Sequence, residues 1–228
     1  MHPTPNKDHL IVFARWPEAG RVKTRLAKDL GEIAATELYR MFVEEILQTT
    51  RSLSLQRHLF FFPAERAAEI SNWLQAESID LQPQAEGDLG AKMHAAFSQL
   101  FAGAARKILI IGTDSPDLPT SIFTDALNAL DTVDAVIGPA YDGGYYLLGF
   151  TRKGYLPDVF SNISWSTETV ASQTVKILQA GNRTFKQLPM WNDIDTVDDI
   201  RMFFERHFGE KNRIIKYLGN SLGQYRLK

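Results

Sequence analysis

Short apolar runs alternate along the chain with stretches whose apolar positions recur at helical spacing. HLIVFA (9–14), HLFFF (58–62), KILIIG (107–112), DAVIG (134–138) and YYLLGF (145–150) have the length and β-branched or aromatic content of buried strands. Pro63 stops the second of these, TFKQL (184–188) reads as a further short strand, and a weak one is expected near Ile79 to Leu81. AATELYRMFVEEIL (34–47) places Leu38, Phe42, Val43, Ile46 and Leu47 on one helical face. Similar patterns predict helices over 65–76, 92–103, 121–130, 169–181 and 197–208. Strands separated by amphipathic helices predict an α/β fold, a three-layer sandwich around a mostly parallel mixed sheet. A single domain over residues 1–208 accommodates the pattern, followed by a polar, basic tail at 209–228 with room for one short helix.

Ligands of such sheets bind beyond the carboxyl ends of the strands, so the polar clusters that follow strands are the site candidates. After the first strand comes ARWPEAGRVKTRLAKDLG (14–31), read as a basic loop leading into a helix. Pro17 and Gly20 shape it, and Arg15, Arg21, Lys23, Arg25 and Lys28 charge it. Converging amides and cations suit a di- or triphosphate, although the spacing is neither Walker A nor GxGxxG, and a solvated basic loop reads equally well. In EGDLGAKM (86–93), Asp88 is placed to cap the following helix, while Gly90 has no side chain and leaves room for a planar ligand such as a nucleobase.

GTDSPDLP (112–119) follows the strongest central strand. Asp114 falls at the strand's carboxyl end, where a hard cation would find an oxygen ligand. Asp117 precedes the next helix and reads as structural. In GPAYDGGYYLLGF (138–150), Asp142-Gly143-Gly144 turns between two strands among Tyr141, Tyr145 and Tyr146, as a plain hairpin or as a substrate pocket. SNISWSTETV (161–170) offers Trp165, Ser166 and Thr167 ahead of a helix, and its simplest reading is an N-cap. In WNDIDTVDDI (191–200), Thr196 with Asp199 forms a capping-box pattern, and Asp193 and Asp195 lie on the same expected edge as Asp114.

Composition removes several classes. The 228 residues are 44% hydrophobic and 23% charged with a net charge of −2, so no basic surplus points to nucleic acid. Cysteine is absent, which excludes disulfides and thiolate metal sites. The five histidines show no HxxxH or HxH spacing, and no GxSxG elbow is present. No apolar run approaches a membrane span and MHPTPNKDH carries no apolar signal core, so a cytoplasmic location is the default expectation.

Taken together and in order, PEAGRVKTRL, GDLGAKM, GTDSPDLP, GPAYDGGYYLLGF and DIDTVDDI resemble a family of GT-A-fold, glycosyltransferase-like proteins, domain of unknown function 2064. That family is similar to nucleotide-diphospho-sugar transferases and, more distantly, to guanylyl- and cytidylyltransferases. The resemblance spans roughly residues 9–205. It implies a nucleotide-binding sheet with a Mg²⁺- or Mn²⁺-linked diphosphate. Asp114 would be the metal ligand after the central strand. The sequence departs from a DxD there, which makes Asp193 or Asp195 its natural partner.

The resemblance also implies that Arg15, Gly20, Lys23 and Arg25 serve the phosphates and Gly90 the base. Asp142, Gly143, Tyr145 and Trp165 would contact the sugar or acceptor, with Asp142 the candidate base and Lys23 stabilising the leaving group. The expected partners are a nucleotide sugar and a small-molecule acceptor, and transfer of the sugar is the leading reading. Nucleotidyl transfer from a nucleoside triphosphate is the alternative, and a non-catalytic nucleotide- or sugar-binding protein a third. The basic tail, with Lys211, Arg213, Lys216, Arg226 and Lys228, packs on the core, forms a homodimer contact or stays mobile.

Overall fold

The computed structural model describes residues 8–75, 77–210 and 212–222. Its one sheet contains β1 (His9–Arg15), β2 (Gln56–Phe62), β3 (Asp80–Pro83), β4 (Lys107–Ile111), β5 (Ala135–Pro139), β6 (Tyr145–Thr151) and β7 (Phe185–Gln187). The strand order is β3-β2-β1-β4-β6-β5-β7. β6 runs antiparallel to β4 and β5, and the remaining pairs are parallel. The carboxyl ends of β1, β2 and β4 therefore share one edge with the amino end of β6.

The helices are α1 (Thr24–Leu30), α2 (Glu32–Thr50), α3 (Ala67–Trp73), α4 (Leu89–Ala102), α5 (Thr120–Ala129), α6 (Val170–Ala180), α7 (Val197–Arg206) and α8 (Arg213–Leu222). Alternation along each strand divides the core between two faces. Leu10, Val12, Leu109 and Ile111 pack with Val43 and Ile46 of α2, Ile70 of α3 and Phe123 of α5. Ile11, Ile108 and Ile110 pack with Met93, Phe97 and Phe101 of α4 and Leu178 of α6. This is the expected three-layer sandwich. Phe97 centres the second face, with its ring 5.4 to 6.1 Å from those of Phe101, Phe150, Tyr155 and Phe160. Truncating it to alanine would cost about 3–5 kcal/mol.

A third cluster lies beside the sandwich. It joins Leu26 and Leu30 of α1, Leu38 and Phe42 of α2, Phe203 of α7, and Ile214 and Leu218 of α8. The described part of the tail thus packs on the core through α8, where Arg213 also pairs with Glu44. Lys211, Arg226 and Lys228 lie outside the described residues.

The basic loop of residues 14–31 is shorter than the sequence suggests. Its second half is α1, separated from α2 by Gly31 at φ 82. The basic residues in and around it hide a seven-residue helix whose buried side chains are Leu26 and Leu30, one turn apart. Among the described residues no helix is long and apolar enough to cross a membrane.

Candidate functional site

A cleft of about 830 Å³ opens above the carboxyl ends of β1 and β4. Arg15, Lys23, Arg25, Asp114, Tyr145 and Asp195 line it, so half of the expected site residues converge there. Its floor is braced by Tyr39 of α2. The Tyr39 hydroxyl accepts a hydrogen bond from the Arg15 amide at 2.8 Å and one from the Thr113 hydroxyl at 3.3 Å. That phenol ties the end of β1 to the end of β4. A smaller hollow of about 400 Å³ at the opposite end of the strands contains Arg106, Asp131 and Arg152. Several of its polar groups are already matched within the protein. Arg152 donates to the carbonyls of Ala105 and Gly103, and Lys107 pairs with Asp131.

Lys23 sits immediately before α1 with φ 46 and ψ 45, a left-handed conformation that turns the chain beneath the cleft. Its ammonium pairs with Oδ1 of Asp114, donates to Oδ1 of Asp195 at 2.8 Å and to the Ile194 carbonyl at 2.6 Å. The two aspartates are brought together because the Ile194 amide donates to the Asp114 carbonyl at 2.8 Å. Lys23 is only 3% exposed, while the two carboxylates are 47% and 41% exposed. Burial alone would lower the lysine's pKa, but Asp114 and Asp195 hold it well above the ordinary range. This alters the expected role of Lys23. All three of its hydrogens are engaged by the protein, so it presents no free donor to a phosphate.

The cations that remain are Arg15, Arg21 and Lys92, which line the cleft without a carboxylate partner among the described residues. Arg25 reaches Asp195 only at 4.0 Å. Lys92 and Arg15 both lie over the ring of Phe62, at 4.3 and 5.8 Å. Lys92 and Tyr39 were not singled out by sequence reasoning. A signal for Lys92 existed: it lies four residues after the cap Asp88, on the same face of α4. Asp88 caps as expected, its Oδ1 accepting the Ala91 amide at 2.8 Å.

Asp193 does not line the cleft with Asp195. Its Oδ1 accepts the Ser115 hydroxyl at 2.6 Å. Burial, reinforced by Asp114 and Asp142, pushes its pKa up to about 7. Asp117 is only 4% exposed and meets Arg206 and His207 at 3.2 and 3.1 Å, a structural position as expected. Asp142 is exposed and its Oδ1 accepts the Gly144 amide at 2.8 Å, which closes its turn.

Several expected ligand contacts are occupied by the protein itself. A Cβ on Gly90 would lie 2.5 Å from the Phe160 carbonyl oxygen and 2.7 Å from the Trp165 ring. The space reserved for a base at Gly90 is thus filled by Trp165, which in turn packs on the second face rather than lining the cleft. Gly143, at φ 87, has the Glu168 carbonyl 2.1 Å from the same imagined position, so it seats the approach to α6 instead of a sugar. Gly20 is exposed at φ 74 and shapes its turn outside the cleft lining. Thr167 and Ser166 do not cap α6, and the hydroxyl of its N-cap residue Thr169 accepts from the Gln173 side chain at 3.1 Å instead of from a backbone amide of the first turn. Ser166 instead reaches the cleft wall. Tyr145 lines the cleft with its hydroxyl directed to the Met93 sulfur at 3.6 Å.

Among the described residues, no group of three or more histidine, aspartate or glutamate side chains is placed to hold a metal ion. Asp114 and Asp195 nonetheless form an all-oxygen pair that already shares one cation. That donor set fits Mg²⁺ or Mn²⁺, which commonly take one or two carboxylates and complete their shell with water and substrate phosphates.

The family described as "Uncharacterized protein conserved in bacteria", domain of unknown function 2064, matches residues 45–167. The chain belongs to this family. A solved protein from Desulfovibrio desulfuricans G20, provisionally named a nucleotide-diphospho-sugar transferase, is 33% identical with a TM-score of 0.92, covering 96% of both chains. A cytidylyltransferase from Leptospira borgpetersenii is similar at 14% identity and a TM-score of 0.58, covering 97% of this chain and 98% of its own. A manganese complex of Rv0371c from Mycobacterium tuberculosis is similar at 17% identity and 0.53, covering 89% and 100%. At these identities the two show only that they share the fold of this chain. A curated relative in sequence, the N-terminal section of the carbamoyl phosphate synthase large chain from Aquifex aeolicus, is 38% identical over 65 residues. That match covers 26% of this chain and only 11% of the relative's length.

Proposed function

We propose that the protein is a metal-dependent transferase that uses a nucleotide-activated donor, with sugar transfer as its reaction. The observation that carries this reading is the shared clasp of Asp114 and Asp195 on the cleft floor, facing Arg15, Arg21 and Lys92, which have no carboxylate partner among the described residues. Unmatched cations above a carboxylate pair suit a polyphosphate carrying a divalent ion. A Mg²⁺ or Mn²⁺ held by Asp114 and Asp195 would draw charge from the departing diphosphate. Arg15, Arg21 and Lys92 would grip the phosphate oxygens, and Arg25 would close the rim. Tyr145 would form the wall beneath the sugar. The name of the 33% identical relative supports the sugar reading.

A second reading is nucleotidyl transfer. It is favoured by the number of cations: Arg15, Arg21, Arg25 and Lys92 together match a triphosphate better than a diphosphate. The experiment that separates the two is a donor screen with Mg²⁺ or Mn²⁺ that measures products. Acceptor-dependent release of a nucleoside diphosphate from a nucleotide sugar supports sugar transfer. Acceptor-dependent pyrophosphate release from a nucleoside triphosphate replaces it with the second reading. Binding without turnover of any donor would leave a nucleotide-binding protein.

A further inference from the structure

We infer that Lys23 is a built-in counterion that makes metal binding at Asp114 and Asp195 conditional on the nucleotide. This rests on the reading of the cleft proposed above and goes beyond it by giving Lys23 a role other than phosphate contact.

The geometry is specific. The Lys23 ammonium engages Oδ1 of Asp114, Oδ1 of Asp195 and the Ile194 carbonyl. A lysine ammonium has three hydrogens, so its donor capacity is spent. It lies beneath the carboxylates, almost wholly buried, while they remain open to the cleft. Its stem is held as well: Nζ stands 5.7 Å from the Phe42 ring centre, and the helix it precedes is anchored by Leu26 and Leu30. The arrangement therefore offers a cation two aspartates whose combined charge of −2 is already halved.

The consequence is electrostatic. A divalent ion arriving alone meets a carboxylate pair with a net charge of −1 and a repelling ammonium close below it. A nucleotide seated on Arg15, Arg21 and Lys92 brings the missing negative charge as phosphate oxygens. Metal and nucleotide then each raise the other's affinity, because the coupling is reciprocal. Lys23 is a positioning residue in this scheme. It acts through the two carboxylates and need not touch substrate.

Mn²⁺ binding to the full chain, followed by electron paramagnetic resonance with and without common ribonucleoside di- and triphosphates, tests the inference. The wild type is expected to bind Mn²⁺ weakly alone and about tenfold or more tightly with its nucleotide. Lys23→Met should bind Mn²⁺ without nucleotide about tenfold or more tightly than the wild type. Lys23→Arg, which keeps the charge, should stay with the wild type. Equal wild-type Mn²⁺ affinity with and without a bound nucleotide would overturn the inference and leave the nucleotide cleft standing. A folded Lys23→Met that binds Mn²⁺ no more tightly would do the same. If no nucleotide binds the wild type, the cleft reading falls too. Should Lys23→Met fail to fold, Lys23→Gln, which also removes the charge but keeps a polar side chain, is expected to show the same tightening and overturns the inference if it does not.

Discussion

The indole Nε1 of Trp191 donates a 2.8 Å hydrogen bond to Oδ1 of Asp117. The other oxygen of Asp117 meets Arg206 and His207 at the end of α7. Three residues earlier, Asp114 faces the cleft and the Lys23 ammonium. Two carboxylates of one short segment thus serve different ends. Asp117 ties the loop after β4 to α7, and Asp114 faces what the cleft binds. Asp117→Ala should destabilise the protein by roughly 1–3 kcal/mol, because it removes the buried acceptor shared by the half-buried Trp191 indole, His207 and Arg206. Denaturant melts check this. Nucleotide titration of the folded protein should find binding retained, whereas Asp114→Asn should abolish its metal dependence.

Gly90→Ala should cost about 1–3 kcal/mol, since the added methyl meets a backbone carbonyl, which cannot swing aside as a side chain would. Displacement of Trp165 should accompany the loss. Tryptophan emission should shift to the red in Gly90→Ala, and a Trp165→Phe background should remove that shift.

Lys92 and Arg15 flank the ring of Phe62 at the cleft edge. Either residue changed to alanine should weaken polyphosphate nucleotide binding by about tenfold at low ionic strength, and by less at high salt. Stability should move by no more than about 1 kcal/mol, the worth of an exposed contact with the Phe62 ring, since neither side chain has an ionic partner among the described residues. Calorimetric titration at two salt concentrations, with thermal melts alongside, measures both.

Asp193 gives stability a pH dependence of defined sign. Its folded pKa is raised to about 7 from 3.8, first by burial and then by Asp114 and Asp142. Between those values the unfolded chain has released the proton and the folded protein keeps it. Asp193 therefore removes stability as pH rises from about 4 to about 7, with the full loss above 7. Asp193→Asn should relieve it, raising the melting temperature relative to wild type at pH 8 more than at pH 4.5. His9 acts in the opposite direction. Burial and His58 push its pKa down from 6.5 to about 4, so its contribution is lost as pH falls through that window. His9→Gln should therefore be more damaging at pH 7.5 than at pH 4.5, again by thermal melts. Only differences between variant and wild type separate two opposing titrations.

The central strands and the main helices were legible because they rest on local periodicity, whereas the strand order is set by long-range pairing. Leu38, Phe42, Val43, Ile46 and Leu47 do form the buried stripe of α2. Caps were legible for the same reason, as with Asp88 and the Thr196–Asp199 box. α1 was not, because seven residues with two buried leucines carry too short a pattern among basic side chains. The stacked histidines 9 and 58 were equally hidden. Their rings stand 5.1 Å apart across adjacent strands, a pairing that no spacing along the chain encodes.

The sequence by itself determined an α/β sandwich, polar clusters after the strand ends where the cleft opens, and Asp114 just beyond the central strand. Tertiary structure decided the partners. Asp193 and Asp195 are equivalent in sequence terms, two positions apart in one extended stretch. They diverge because the carboxylate of Asp199 takes the Asp195 amide at 3.0 Å as α7 begins, while Ser115 takes Asp193. Lys23 finds Asp195 from 172 residues away, and Gly90 meets Trp165 instead of a ligand. Chemistry at each position is written locally in the chain. Which charge neutralises which is settled only when distant segments compete for the same few ångströms.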